Sequence, residues 1–288
     1  MLYGALEAGG TKMVCAVGTE DGHIIDKIQI PTETPEKTIP AIADYFRDKD
    51  ITALGIACFG PIDLNTSSPT YGYITNTPKP GWSNTDIVGR FKKALSVPIG
   101  FDTDVNGSLI GEITYGASKG LENAVYITVG TGIGGGVMTN GRLLHGMLHP
   151  ELGHMVMHIH PDDAYKCRCP FHDHCLEGLA CGLAVEERRG LKGKDIPEDD
   201  KVWEIEAYYL GQAMVNLIVT LSPERIILGG GIMHRTHLFD LIRKETKKQL
   251  NSYIKTALLD DIDNYIVPAS LNDDQGILGC IKLAMDAV

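Results

Sequence analysis

The pattern of hydrophobic and polar positions predicts a β-meander at the start of the chain. Three short apolar runs stand at 2–7, 14–19 and 24–30. They are separated by Gly9-Gly10 and Asp21-Gly22, and apolar runs between such turn sequences are typical of antiparallel strands. Thr34-Pro35 then predicts the start of a helix that reaches about residue 48, with Thr34 as its N-cap.

The next segment predicts strands that alternate with helices. A buried strand at 54–58 is followed by Ser83 to Asp86, which has the spacing of a capping box ahead of a helix at 87–95. A further strand at 99–103 leads into a helix at Val105. Strands that alternate with helices indicate an α/β sheet with crossover connections.

The second half of the chain repeats this arrangement. It predicts strands at 125–129, 137–138, 225–228 and 266–267, and helices at 202–221, 237–249 and 275–285. Glycine-rich turns follow two of these strands, at 130–136 and 229–231. We therefore expect a duplicated fold with an N-terminal lobe, 1–115, closed by a C-terminal helix at 275–288. A C-terminal lobe, 116–274, packs beside it around a cleft.

Composition excludes several classes of protein. The net charge is −11, and the 26 Lys and Arg residues form no dense run, which argues against a nucleic-acid partner. No apolar stretch reaches the roughly 18 residues of a membrane span, and no basic segment with a cleavage site precedes the first strand. Seven cysteines, an odd number, fit a reducing compartment, so we expect a cytoplasmic protein without a membrane partner.

Cysteine and histidine cluster between two carboxylates, Glu151 and Glu177. The candidate metal ligands are His154, Cys169, His172 and Cys175. Zinc binds thiolates and imidazoles in groups of four, and a closed set of four protein ligands makes the metal structural. The carboxylates on either side can accept hydrogen bonds from the hydroxyls of a sugar.

Glycine-rich turns predict a phosphate site in each lobe. The candidate residues are Gly9, Gly10, Thr11 and Lys12 in the first lobe, and Gly130, Thr131 and Gly132 in the second. Glycines let backbone N–H groups approach a phosphate. In a dinucleotide-binding fold a helix follows the glycine-rich turn, whereas here a strand follows each turn. Paired glycine hairpins of this kind are typical of actin-like kinases. Gly230 and Gly231 either form a surface for purine and ribose or serve only as a tight turn.

Asp104 is the candidate catalytic base. It lies in Asp102-Thr103-Asp104, where a strand gives way to a helix, and phosphoryl transfer to an alcohol needs a base near the hydroxyl. The alternative is that an aspartate here only caps the helix.

These motifs together resemble the ROK family of sugar kinases and repressors, and within it the bacterial fructokinases. The resemblance spans nearly the whole chain. Its carriers are Glu7 to Lys12, Cys58 to Pro61, Thr75 to Trp82, Asp104 to Asn106 with Gly111-Glu112, Gly130 to Gly136 and Glu151 to Glu177. It implies a duplicated actin-like ATPase (ribonuclease H-like) α/β fold with two lobes around a central cleft, and a homodimer.

The resemblance also implies a reaction and its residues. ATP with Mg²⁺ would donate a phosphoryl group to a hexose, with Asp104 as base. Glu151, His154 and Glu177 fall on the family's sugar contacts, and Thr103 stands where family hexokinases often carry Asn. The cysteine loop is one residue longer than the common form, which leaves Cys167 as an alternative to His172.

We therefore expect a fructokinase that forms fructose 6-phosphate. A glucokinase, mannokinase or N-acetylmannosamine kinase of the same family is the alternative within enzymes. A non-catalytic sugar sensor is the alternative outside them. The family's repressors carry a DNA-binding segment before the first glycine hairpin, which starts here at residue 8.

Overall fold

The structure, a computed structural model, describes residues 1–77 and 79–288. Pro78, within the Thr75 to Trp82 motif, lies outside the described residues. The chain forms two compact units. The first comprises Met1–Gly120, Leu144–His149 and Ser270–Val288, and the second comprises Leu121–Leu143 and Pro150–Ala269.

Strands and helices alternate along both units. The strands are β1 Tyr3–Ala8, β2 Lys12–Gly18, β3 Ile24–Pro31, β4 Ala53–Cys58, β5 Tyr73–Ile74, β6 Thr85–Asp86, β7 Ile99–Thr103, β8 Ala124–Val129, β9 Ile133–Thr139, β10 Arg142–Leu143, β11 Arg225–Gly229 and β12 Ile266–Pro268. The helices are α1 Pro35–Arg47, α2 Ile87–Leu95, α3 Asp104–Thr114, α4 Leu176–Ala180, α5 Gly182–Arg189, α6 Val202–Leu221, α7 His237–Leu250, α8 Ala257–Asp260, α9 Ile262–Tyr265 and α10 Gln275–Asp286.

The first unit is built on a sheet in the order β3-β2-β1-β4-β7. The meander β1 to β3 is antiparallel, whereas β4 and β7 run parallel to β1. The carboxyl ends of β1, β4 and β7 therefore lie at one edge, where β1 leads into Gly9 and β7 leads into Asp104. This edge carries the candidate residues of the first unit.

Helices α3 and α10 pack so closely that their backbones are in direct contact. A Cβ placed on Gly279 of α10 would lie 1.7 Å from the carbonyl oxygen of Gly107 in α3. Only glycine fits there, because a methyl group would overlap that oxygen. Helix α10 also contacts β1 and β4, so the last helix of the chain covers the first strand.

The second unit has a sheet of the same design. Its order is β10-β9-β8-β11-β12, with an antiparallel meander followed by two strands parallel to β8. A core that includes the fully buried Trp203 and Tyr209 of α6 fills the space against the sheet. The shared strand order confirms the predicted duplication.

The structure corrects two details at helix starts. The expected capping box is wrong, because the N-cap of α2 is Asp86, which accepts a hydrogen bond from Gly89 N, while the Ser83 hydroxyl donates to Thr77 O. Thr34 does stand at the N-cap of α1, but its side chain accepts no capping bond. The sequence prediction also omitted α4 and α5. Among the described residues, no helix is long and apolar enough to span a membrane.

Candidate functional site

The turn between β7 and α3 presents Asp104. Thr103 is the N-cap, and its hydroxyl accepts from Asn106 N at 3.1 Å. Asp104 is the first residue of the helix and is partly exposed, whereas Thr103 is buried. Thr103 therefore caps the helix, while Oδ1 of Asp104 accepts from Val105 N at 2.9 Å.

Asp102, just before this turn, is held from several directions. Its Oδ1 accepts from Thr103 N at 2.8 Å and from Asn106 Nδ2 at 2.6 Å. Its Oδ2 lies 3.0 Å from Nε2 of His145. The contact with Asp102 raises the pKa of His145, against the opposing effect of partial burial. Asp102 thus joins the start of α3 to the segment Leu144–His149.

The first glycine hairpin lies at the same edge of the sheet. Gly9 N donates to Lys12 O at 3.1 Å, and Gly10, Thr11 and Lys12 are exposed. Just before this turn, burial and, to a lesser extent, the charge of Asp104 raise the pKa of Glu7 to about 7. The hairpin therefore places the exposed residues Gly10, Thr11 and Lys12 near Glu7, whose carboxyl also interacts with the candidate base.

Three glycine segments converge in the second unit. Gly230 has φ of +90°, and a Cβ there would lie 2.6 Å from Val129 O. A side chain is excluded both by the backbone conformation and by this approach. Gly182 N donates to Gly130 O at 2.7 Å, so the start of α5 also joins the turn at Gly130.

A pocket of about 890 Å³ opens beside these glycines. Its lining includes Gly130, Thr131, Gly182, Leu183, Glu186, Lys192, Lys194, Gly231, Ile232 and Arg235. Guanidinium Nη2 of Arg235 donates to Gly193 O at 2.6 Å, and the same group stacks on Trp203. This volume is within the usual range for a small-molecule site, roughly 300–1,000 Å³.

The four candidate metal ligands come together in the second unit. One ligand atom from each of His154, Cys169, His172 and Cys175 lies within 4.8 Å of the others. Nδ1 of His154 is 3.7 Å from Cys175 Sγ, and Nδ1 of His172 is 3.4 Å from Cys169 Sγ. Cys167 is outside this group. Two thiols and two imidazoles so arranged can hold one tetrahedral ion.

The two carboxylates beside this cluster have different settings. Glu177, in the first turn of α4, accepts a hydrogen bond from Ile133 N through Oε2 at 2.9 Å. Glu151 is exposed and precedes a short 3₁₀ helix, Leu152–His154, where its carbonyl accepts from His154 N at 3.0 Å. Glu177 therefore ties the metal-ligand segment to the second glycine turn.

Sequence reasoning named many of these residues but missed part of the site. It overlooked Gly182, Lys192 and Arg235 in the pocket, and the pairing of Asp102 with His145. The pocket residues carry a sequence signal, since Gly190 to Lys194 is a basic, glycine-rich turn after a short helix. The pairing of Asp102 with His145 depends on tertiary folding and has no local signal.

Known proteins resemble this chain over its whole length. The sequence profile of the ROK family matches residues 3–287. The chain is 49% identical over 288 residues to a fructokinase of Pediococcus pentosaceus, covering 100% of this chain and 99% of that protein. It is 46% identical over 284 residues to a fructokinase of Lactococcus lactis subsp. cremoris, covering 98% and 96%.

Solved structures share the fold. A ROK hexokinase from Thermus thermophilus superposes with a TM-score of 0.81 at 25% identity, covering 99% of this chain and 98% of that one. A ROK family glucokinase from Streptomyces griseus, in complex with glucose and AMPPNP, gives a TM-score of 0.79 at 23% identity, covering 99% and 100%. The actin-like fold is thereby confirmed, and the chain belongs to the ROK family.

Proposed function

We propose that this chain is an ATP-dependent fructokinase that converts fructose to fructose 6-phosphate. The observation that carries the proposal is a contrast among relatives. Five proteins whose names contain fructokinase are 43–49% identical to this chain. Three named glucokinase are only 26–28% identical. Fructose is therefore the favoured substrate.

Asp104 is the proposed general base. It is the first residue of α3, at the sheet edge, and is partly exposed. Asp104 would accept the proton of the sugar hydroxyl as that oxygen attacks the γ-phosphorus of ATP and displaces ADP. The Thr103 hydroxyl accepts one backbone bond and has a hydrogen to donate to a sugar oxygen.

The glycine segments are the proposed phosphate and nucleotide sites. Gly9, Gly10, Thr11 and Lys12 in the first unit and Gly130, Thr131 and Gly132 in the second would contact the polyphosphate. Gly230 and Gly231, beside the large pocket, would face the purine and ribose. Mg²⁺ bound with ATP would help to neutralise the phosphate charge, while fixed N–H groups and Lys12 stabilise the transferring group.

The sugar would be bound by Glu151, His154 and Glu177, together with Thr103. Carboxylates suit this task because each accepts two or more hydrogen bonds from hydroxyls. In Glu177, Oε2 accepts from Ile133 N, so Oε1 is the atom proposed to face the sugar. In His154, Nδ1 points to the thiols, which assigns Nε2 to the sugar.

The metal is proposed to be zinc with a structural role. Zinc bonds of about 2.3 Å to sulfur and 2.0–2.1 Å to nitrogen place tetrahedral N and S ligands roughly 3.6 Å apart. The N to S distances of 3.4 and 3.7 Å fit this geometry. With all four positions taken by protein, zinc would fix His154 and the start of α4 near the sugar.

A substrate panel tests the proposal. Purified protein is assayed by coupled ADP release with fructose, mannose, glucose and N-acetylmannosamine, and kcat/KM is highest for fructose. A higher kcat/KM for another sugar would assign the chain to a different kinase of the family, and no ADP release with any sugar would favour a sensor.

Asp104→Asn is the matched variant for the mechanism. It should lower kcat by roughly 10²- to 10⁴-fold while fructose still binds in calorimetry. A variant with the wild-type rate would refute the base assignment. The proposed homodimer is tested separately by light scattering.

A further inference from the structure

Two histidines attach the segment Leu144–His149 to the first unit; this segment is called the strap below. At its start, Nε2 of His145 lies 3.0 Å from Oδ2 of Asp102. At its end, Nε2 of His149 accepts from Ile62 N at 3.4 Å. Both flanking segments, which end at Leu143 and begin at Pro150, belong to the second unit.

Apolar packing holds the strap only in part. Leu144 is 37% exposed, Leu148 is 41% exposed and Met147 is fully exposed. Complete burial of each side chain would gain about 1.5–3 kcal/mol, so Met147 gains none of this energy and the two leucines gain only part of it. The polar contacts of the two histidines add to this incomplete apolar attachment.

The contact between His145 and Asp102 is the stronger of the two. Asp102 is buried, with only 3% of its surface exposed, and its Oδ1 already accepts from Thr103 N and Asn106 Nδ2. The remaining oxygen, Oδ2, faces the imidazole. A buried carboxylate needs a compensating donor, and a protonated imidazole supplies a charge-assisted hydrogen bond.

The strap leads directly into a proposed sugar contact. Only Pro150 separates His149 from Glu151, and the restricted backbone of proline transmits the direction of the strap to the next residue. We propose that His145 is a positioning residue for sugar binding, anchoring the strap to Asp102 so that Glu151 is held ready for fructose. This inference rests on the proposed function.

The anchor should depend on pH. Asp102 raises the pKa of His145, so the charged contact is complete below the ordinary value of about 6.5 and is lost as pH rises through the raised value. Tyr71 is another ionisable side chain that interacts with Asp102. Its pKa is raised by burial and then by Asp102, so it stays neutral over this range.

The experiment measures KM for fructose and for ATP between pH 6 and 9 in the full-length protein. His145→Gln keeps an N–H donor but has no positive charge, and Asp102→Asn removes the negative charge. Each should raise KM for fructose roughly three- to tenfold at pH 6.5, with KM for ATP within twofold and, in His145→Gln, kcat within twofold. The wild-type KM for fructose should rise with pH, whereas that of His145→Gln stays flat.

Three further measurements keep the result interpretable. The double variant should be no worse than either single variant, because both remove one contact. His23→Gln, at an exposed histidine of the same unit, should behave as wild type. Hydrogen exchange of the strap amides should increase in His145→Ala even without substrate.

The outcomes separate this inference from the proposed function. An inactive wild type would refute the fructokinase proposal, while strap exchange would still test the anchor. With an active wild type, an unchanged KM for fructose in both variants would overturn the inference. A loss confined to kcat would also overturn it, because His145 would then act on the chemical step.

Discussion

The carboxylate of Glu177 accepts a hydrogen bond from Ile133 N at 2.9 Å. One side chain thus links the helix that follows Cys175, a candidate metal ligand, to the glycine turn proposed for phosphate. A Cβ on Gly132 would lie only 2.6 Å from Oε2 of Glu177, so the contact also requires glycine in the turn. In the second unit, Glu177 therefore connects three features: the segment of candidate metal ligands, the proposed sugar contact and the proposed phosphate turn.

Removing the side chain of Glu177 should therefore weaken the binding of both substrates, ATP and fructose. Glu177→Ala leaves Ile133 N without its acceptor and removes a proposed sugar contact, so KM for ATP and for fructose should each rise roughly tenfold. Glu177→Gln retains an amide oxygen for Ile133 N, and its KM for ATP should stay within twofold. Glu187→Ala, at a half-exposed residue of α5, serves as control. A rise confined to fructose would contradict the link.

Zinc content should fall when one of the four candidate ligands is replaced, and should be unchanged when Cys167 is replaced. Cys175→Ser should lose bound zinc and melt about 5–10 °C lower, because a structural metal contributes folding free energy. Cys167→Ser should keep one zinc per chain, since Cys167 is outside the ligand group. Elemental analysis and thermal melts provide the measurements. Loss of zinc in the Cys167 variant, with retention in His172→Ala, would reverse the ligand assignment.

Stability should fall as pH rises from acid to neutral values because of Glu7. Burial raises the pKa of Glu7 to about 7 from an ordinary value of 4.5. The folded state therefore holds the proton more tightly, so the contribution of Glu7 is complete below pH 4.5 and is lost as pH rises toward 7. Between pH 5 and 8 the wild type should lose about 2–3 kcal/mol more than Glu7→Gln.

Urea unfolding at both pH values measures this difference. Burial also raises the pKa of Glu206 well above its ordinary value. Glu206 therefore contributes equally to the pH dependence of stability in the wild type and in Glu7→Gln. Only the difference between the two proteins reports on Glu7. Equal slopes in wild type and Glu7→Gln would show that Glu7 is ionised throughout.

Gly279→Ala should destabilise the first unit although alanine normally favours a helix. Alanine gains about 1 kcal/mol over glycine in an exposed helix, but here its methyl would meet Gly107 O at 1.7 Å. We expect a net loss of about 1–3 kcal/mol in the free energy of unfolding. Gly146→Ala, with nothing within 4 Å of the added methyl, should be neutral. A stabilised Gly279→Ala would mean that α3 and α10 separate easily.

Much of the fold could be predicted because local sequence determined it. Apolar runs bounded by glycine turns identified the meanders of both sheets, and helical spacing located α6 at its observed bounds, Val202–Leu221. The clustering of the candidate metal ligands was also predictable, since three of them lie within seven residues. Short elements without clear periodicity were harder: α4 and α5 have five and eight residues and join at Cys181.

The remaining errors arose where tertiary contacts decided the outcome. Ser83 has the right spacing to cap α2, yet its hydroxyl donates to Thr77 O and Asp86 caps instead. Likewise the hydroxyl of Thr103, rather than an aspartate, caps α3. The contact of Asp102 with His145 joins segments distant in sequence, and only the folded chain shows it.

The position of α10 has a consequence for synthesis on the ribosome. This helix covers β1 and β4, so the first sheet stays without one of its covering helices until the last residues emerge. The second unit is complete once Ala269 is made. It should therefore become resistant to protease earlier than the strands at the start of the first unit. Stalled nascent chains ending after residues 269 and 288 would reveal this reversed order by limited proteolysis, and early protection of β1 would disprove it.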